Sequence, residues 1–342
     1  MGKQVRQTSW LKRAIHIDGT GCADGRSRLA TSARLILSVS AALTAAAGVL
    51  AALPTRAWIP GLCAALACQI AVVSGLGLLL ARAVRARSCA ILWGLALLTS
   101  LWPIISALPR QSMLRPQGEH PSISLLIVNA YSLNTEPQQL LHALEAQRAD
   151  IVIITEPSPD VLRPLTAAYR AGPGTLLRCP PTRREHSWIV VHTRYSASIA
   201  DEPSDGILNC RVETPAGPVH LIATHLLSPR TSARNATAFN QVDRITTAAG
   251  SSEPLPLIIA GDFNATPTSN TSRMLADRTG TRRCKPLLRA GTYPADWPAP
   301  FRLCIDDALV SDHFRVTAWQ TIHLPGSDHR GVRLSLEYLN PP

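Results

Sequence analysis

Apolar positions along the chain fall into two regimes. Residues 33–53, 61–81 and 88–108 are three nearly unbroken apolar stretches without an acidic residue. Each is about 20 residues long, enough to cross ~30 Å of hydrocarbon as a helix. A helix also satisfies its own backbone hydrogen bonds inside lipid. Three membrane-spanning helices are therefore predicted. The long basic lead and the repetition of apolar stretches argue against a cleavable signal peptide.

Beyond residue 108 the pattern changes. Residues 109–121 carry three prolines and a glycine and read as an extended tether. Short continuous apolar runs at 123–129, 151–155 and 257–260 fit strands buried on both faces. Strands are also expected at 187–195, 207–213, 219–224, 304–311, 315–322 and 331–338. Helical patterns cover 135–148, with Thr135 as the cap, and 160–170, 231–249 and 269–277. Strands outnumber helices, and hairpin neighbours alternate with helical crossovers. That mixture predicts an α/β fold of two packed mixed sheets covered by helices. No internal repeat is visible.

Charge refines this division. The chain carries a formal +11, yet residues 1–109 hold eleven Lys/Arg against two acids, leaving +2 for residues 110–342. The excess therefore flanks the apolar stretches, where it sets orientation rather than marking a polyanion-binding domain. Residues 1–34 carry seven Lys/Arg, the loop 54–60 only Arg56, and the next loop Arg82, Arg85 and Arg87. Positive loops stay in the cytoplasm. The expected order is a cytoplasmic basic segment (1–32), a three-helix anchor (33–108), a linker (109–121) and an extracytoplasmic domain (122–342). Trp58 and Trp102 lie near the expected interfaces. Cys179, Cys210, Cys284 and Cys304 permit disulfides in such a compartment, with three possible pairings. No cysteine spacing suggests a metal site.

Polar residues recur at the ends of the apolar runs. Asn129 closes one strand, Glu156 follows the next, His225 follows 219–224, and Asp262 and Asn264 follow 257–260. Asp306 lies within the run 303–310, and Asp328 and His329 precede the last strand. Strand ends bring residues that are distant in sequence to one rim. Singly, each has an ordinary explanation: a solvated loop acid, a turn-forming Asp or Asn, a buried histidine, a partner for an arginine.

Together, Val128-Asn129, Glu156, Thr224-His225-Leu226, Gly261-Asp262-Phe263-Asn264, Ile305-Asp306 with Leu309-Val310-Ser311, and Ser327-Asp328-His329 resemble the endonuclease/exonuclease/phosphatase (DNase I-like) superfamily. The resemblance spans about residues 120–340. Two positions depart from the usual pattern: Thr155 precedes Glu156 where Gln is frequent, and Asp307 stands where an aromatic or His is usual. The resemblance implies a four-layer αββα sandwich for the domain 122–342, and a metal-dependent phosphoric ester hydrolase. Glu156 is then the main ligand of a divalent cation, Mg²⁺ before Mn²⁺, with Asn129 beside it and Asp328 in support. Asp306 orients His329. Either that pair or Asp262 takes the proton of the attacking water. Asn264 and His225 contact the phosphate, and Asn134 either lines the pocket or forms a turn. Arg183, Arg184, Arg230 and Arg234 are candidate anion contacts or solvated surface.

The arrangement of three helices before an external domain further resembles the teicoplanin-resistance membrane proteins of actinobacteria. It implies a lipid-linked phosphorylated substrate, a polyprenyl (pyro)phosphate carrier of the cell wall. Two other readings compete: a membrane-tethered nuclease, disfavoured by the nearly neutral domain, and a non-catalytic module that binds a phosphorylated ligand.

Overall fold

The computed structural model describes residues 19–108, 121–180, 188–251, 254–286 and 289–339. Arg183, Arg184 and nearly all of the expected tether lie outside the described residues. The helical half comprises α1 (Gly19–Ala52), α2 (Trp58–Ala65), α3 (Ala67–Ala83) and α4 (Arg87–Ser106). The rest comprises β1 (Ser122–Asn129), α5 (Pro137–Ala146), β2 (Ile151–Thr155), α6 (Pro159–Ala171), β3 (Thr175–Cys179), β4 (Ile189–Thr193), β5 (Ser196–Ile199), β6 (Ile207–Thr214), β7 (Gly217–His225), α7 (Ser232–Ser251), β8 (Leu257–Asp262), α8 (Asn270–Thr279), β9 (Arg282–Arg283), β10 (Asp306–Val310), β11 (Phe314–Ile322) and β12 (Gly331–Tyr338).

The strands form two six-stranded sheets, ordered β11-β12-β1-β2-β4-β3 and β5-β6-β7-β8-β10-β9. β1 pairs parallel with β2, and β7 with β8. Alternation along each strand explains why the central strands read as continuous apolar runs. Ile123, Leu125 and Ile127 enter the core between the sheets, while Leu126 and Val128 pack with Leu140, Leu144, Val161 and Leu165 of α5 and α6. In the second sheet Leu221, Ala223, Ile258 and Ala260 face inward, and Ile222 and Ile259 pack with Val242, Ile245 and Leu275 of α7 and α8. The result is helix layer, sheet, sheet, helix layer, as the resemblance implies.

Several boundaries differ from the sequence reading. Helix α5 begins after Glu136 rather than at Thr135, because Pro137 occupies its first turn and Asn134 Oδ1 accepts the Glu136 N–H at 2.7 Å. Strand β9, the buried pair Arg282–Arg283 outside any apolar run, was not expected, and neither were β3 and β5. Both are short and half-exposed, so neither carries a strong apolar signature. No disulfide joins described cysteines; Cys179, Cys210, Cys284 and Cys304 are separately buried.

Among the described residues, the segments Thr31–Ala52 and Arg87–Ser106 are long and apolar enough to cross a membrane. The expected second span is two helices, α2 and α3, bent by 66° at Leu66; together they too are long and apolar enough to cross, as one broken span. The bend has a tertiary cause: α2 and the loop before it dock on the sandwich. Asp243 of α7 accepts both Nη atoms of Arg56, at 2.8 and 2.7 Å. Trp58 Nε1 donates to Pro229 O at 2.8 Å, and Asn235 Nδ2 to Arg56 O at 2.8 Å. Asn270 Nδ2 donates to Leu53 O and Thr55 O at 3.1 and 2.7 Å, and Thr266 Oγ1 to Ala65 O at 2.9 Å. A helix continuing straight from α3 would forfeit these bonds.

Candidate active site

Parity places the site. Asn129 shares the inward face of β1 with Ile127, His225 that of β7 with Ala223, Asp262 that of β8 with Ala260, and Asp306 that of β10 with Ala308. All four stand where the core between the sheets runs out at one rim. Register brings them side by side: His225 and Asp306 both lie opposite Asp262 on the flanking strands. Asp307 has the opposite parity. It is buried instead with Arg283 Nη1 at 3.3 Å and Trp319 Nε1 at 3.0 Å, which accounts for its departure from the family pattern without cost to the rim.

The remaining members come from loops. Glu156 follows β2 with φ +50°, and Asn264 follows β8 with φ +46°. Such left-handed backbone is uncommon for side-chain-bearing residues and persists where the surroundings enforce it. Ser327 ties the last loop to β1 by donating to Asn129 O at 2.7 Å while its Oγ accepts the His329 N–H at 3.0 Å. Glu156, His225, Asp262, Asn264, Asp328 and His329 line a cleft of about 700 Å³ with Tyr131, Arg230, Arg234 and Tyr293, and Asn129, Asp306 and Ser327 support them through hydrogen bonds.

Two linked clusters occupy its floor. In the first, His225 Nε2 lies 3.0 Å from Glu156 Oε1 and 3.9 Å from Asp262 Oδ2. In the second, His329 Nδ1 lies 2.8 Å from Asp306 Oδ2, and its Nε2 lies 4.0 Å from Asp328 Oδ1. Asn129 Nδ2 braces the first, donating to Asp262 Oδ2 at 3.0 Å and to Glu156 Oε1 at 3.3 Å, while Asp262 lies within 4.8 Å of Asp306 and His329 and so links it to the second.

The electrostatics follow from burial and this pairing. Burial opposes ionisation of Glu156, but the His225 hydrogen bond and charge and the Asn129 amide outweigh it and hold its carboxyl below the usual range. Burial likewise opposes the His225 imidazolium, yet Glu156 and Asp262 raise its pKa. Asp262 is pushed up to about 6 by burial and then by the charge of Asp306, against the two imidazolium groups. His329 rises to about 10: burial disfavours its charge, but the charge and hydrogen bond of Asp306 prevail. Carboxylate and imidazole groups thus alternate in the cleft, and His329 carries its proton at neutral pH.

The donor set fits a hard divalent cation. The carboxylate oxygens of Glu156 and Asp262, and of Asp262 and Asp306, lie within 4.8 Å of each other, with His225 and His329 paired to them rather than offered to a metal. Buried oxygens Asp306 Oδ1 and Asp328 Oδ1 also lack hydrogen-bond partners. Asn129 sits beside Glu156 as expected, but its Oδ1 accepts the Tyr131 N–H at 2.9 Å, so it faces the carboxylates as a donor rather than as a metal-binding oxygen. Asn264 Nδ2 donates to Leu226 O at 2.8 Å, leaving its second N–H for a ligand. Asn134 takes the turn role and stays out of the cleft lining: its Nδ2 bonds Ala130 O and Pro325 O at 2.9 and 3.0 Å. Tyr293, whose ring stands 4.8 Å from that of His329, was not expected. Its run, 291–297, reads in sequence as a loop without strand context.

Fold and cleft together define a class: a two-sheet α/β sandwich with carboxylates and imidazoles gathered at one rim. The chain belongs to the Endonuclease/Exonuclease/phosphatase family, whose profile matches residues 126–329, more than half of it. Members of that family are metal-dependent hydrolases, nucleases and phosphatases. Solved structures agree on the fold. An endonuclease/exonuclease/phosphatase from Bacteroides vulgatus superposes with a TM-score of 0.50 at 14% identity, covering 64% of this chain and 99% of its own. A humanized D. rerio TDP2 gives 0.50 at 16% identity, covering 63% and 99%. No curated protein matches the chain significantly.

Proposed function

We propose that the protein is a divalent-metal-dependent phosphoesterase, anchored by its apolar helices, with its catalytic domain outside the cytoplasmic membrane. Its substrate is a polyprenyl phosphate or pyrophosphate carrier of the cell wall. Its biological role is in glycopeptide resistance, following its resemblance to the teicoplanin-resistance membrane proteins. The observation that carries the phosphoesterase reading is the convergence of Glu156, His225, Asp262 and His329 in one cleft, with Asp306 bonded to His329. The lipid reading draws on the seam. Trp58, at the start of α2, bonds Pro229, whose neighbours Ser228 and Arg230 line the cleft. The apolar helices and the substrate cleft therefore share one loop, and a tethered domain meets bilayer head groups at high effective concentration.

The chemistry assigns each group a task. Glu156, with Asp262 and Asp328 close by, would hold Mg²⁺, which when bound neutralises charge on the phosphoryl oxygens. Asp262 orients the attacking water and takes its proton. The protonated His329, aligned by Asp306, donates from Nε2 to a phosphoryl oxygen. Asn264 donates through its second N–H. His225 keeps Glu156 ionised and its ring lines the phosphate cleft.

The test is full-length protein in detergent with Mg²⁺, assayed for phosphate release from undecaprenyl pyrophosphate and for nicking of supercoiled plasmid. Release without nicking is expected. Nicking without release would transfer the site to a nuclease. Neither activity, with tight phosphate-ligand binding, would leave a binding module.

A further inference from the structure

A second cleft, of about 950 Å³, opens where the end of α4 meets α8. It shares no residue with the cleft of Glu156 and His329. Its walls differ in chemistry. One is apolar: Trp102, Ile105 and Leu108, which are 60%, 55% and 40% exposed at the end of a helix long enough to span a bilayer. The other is polar, carries Arg273, Arg278, Arg282 and Arg283 together with Asp277, and belongs to the sandwich.

Arg273 of α8 distinguishes that polar wall. Arg278, Arg282 and Arg283, which also line it, pair with Asp243, Asp312 and Asp307. Arg273 has no carboxylate within 4.0 Å among the described residues. Its Nη1 donates to Ser106 Oγ at 3.2 Å and its Nη2 to Asn270 Oδ1 at 2.5 Å, both neutral groups. Its Nε is buried without a partner. Burial accordingly draws its pKa below the ordinary guanidinium value, with only the more distant Asp277 opposing. A partly buried cation without a close counter-ion is favourably met by an anion placed beside it.

A ligand that suits both walls has an acyl chain and an anionic head group. The guanidinium fork matches a phosphodiester, and aromatic residues at a helix end sit at the level of lipid head groups. We propose that this cleft binds an anionic glycerophospholipid, with Arg273 holding the phosphate and Trp102, Ile105 and Leu108 against the acyl chain. The proposal rests on the membrane placement given above but not on the catalytic reading. The lipid would wedge the seam between anchor and sandwich.

The test uses full-length wild type, R273Q and R273K purified in dodecyl maltoside. Each is titrated with phosphatidylglycerol, phosphatidylcholine or inorganic phosphate, and read by native mass spectrometry and thermal melting. Wild type should retain phosphatidylglycerol in preference to phosphatidylcholine and melt higher with it. R273Q should bind it about fivefold more weakly, and R273K, which keeps the charge but not the fork, should fall between the two. Hydrolysis of the soluble ester bis-p-nitrophenyl phosphate should be equal in all three, which also shows that R273Q folds. Equal retention of both lipids by wild type, or equal binding by wild type and R273Q, overturns the proposal. Displacement of the lipid by millimolar inorganic phosphate overturns it in favour of a free-anion site. Extraction of the protein from cells without detergent removes the membrane placement. Loss of hydrolysis in every form, with lipid retention intact, removes only the catalytic reading.

Discussion

His329 Nδ1 lies 2.8 Å from Asp306 Oδ2 although the two residues belong to different sheets. Asp306 opens β10 in one; His329 precedes β12 in the other. The bond closes the rim across the sandwich and gives the imidazole a pKa of about 10 against an ordinary 6.5. A folded-state pKa raised above the unfolded one stabilises fully below pH 6.5, and that contribution is lost as pH rises through about 10. Asp306→Asn should cost on the order of 3 kcal/mol at neutral pH, because it leaves a buried imidazole without its counter-ion. The gap between wild-type and variant melting temperatures should narrow toward pH 10, where the wild-type pair discharges. Proton NMR should show His329 titrating lower in the variant. A wild-type His329 titrating at its ordinary value would refute the pairing.

Asp262 is buried and touches both clusters. Its replacement by Ala should lower Mg²⁺-dependent hydrolysis by about 10²–10⁴-fold, the range of a lost acid–base group. Circular dichroism should stay native. Activity within a few-fold of wild type would exclude it from the chemistry.

Glu156 should govern metal affinity rather than fold. Chelation by EDTA should abolish hydrolysis and added Mg²⁺ restore it. Glu156→Gln should shift the Mg²⁺ activation curve upward by at least about tenfold, since a neutral amide replaces the anionic ligand. An unchanged activation curve would place the cation elsewhere.

Gly261 carries φ +146°, and a Cβ there would stand 1.9 Å from Thr224 O of the neighbouring strand. Gly261→Ala should therefore destabilise the sandwich by at least about 2 kcal/mol and displace Asp262 next to it. Differential scanning calorimetry and the hydrolysis assay should both register the change.

Asn270 is 4% exposed, and its amide spans Leu53 O and Thr55 O. Asn270→Ala should strand these acceptors and cost about 1–3 kcal/mol. Limited proteolysis at residues 53–57 should accelerate while hydrolysis of a soluble ester changes little. Unaltered proteolysis would mean that the loop is held by the other seam contacts alone.

Much of this was legible in the chain because burial writes itself into composition. Strands covered on both faces must be apolar throughout, so β1, β2 and β8 stand out, and the polar residues ending them are conspicuous by contrast. The edge strands β3 and β5 left no such mark, since they are half-exposed. Other features depend on distant neighbours. Pairing of His225 with Glu156, rather than availability to the phosphate alone, arises from a 3.0 Å approach between residues 69 positions apart in sequence. The break at Leu66 sits in a nearly unbroken apolar run and accompanies bonds to α7, to α8 and to the loop before α8.

By itself the sequence determined the division into an apolar helical half and an α/β half, the inner strands, and the residue types available for phosphate chemistry. These are local or compositional properties. Each is set by what a segment must bury and what it cannot. Tertiary structure alone decided which carboxylate meets which imidazole, that Asn134 supports a turn while Tyr293 joins the cleft, and how the second apolar segment bends onto the sandwich. Those outcomes depend on sheet register, strand parity and the satisfaction of buried polar groups between segments far apart in the chain, terms that exist only once both partners have folded together.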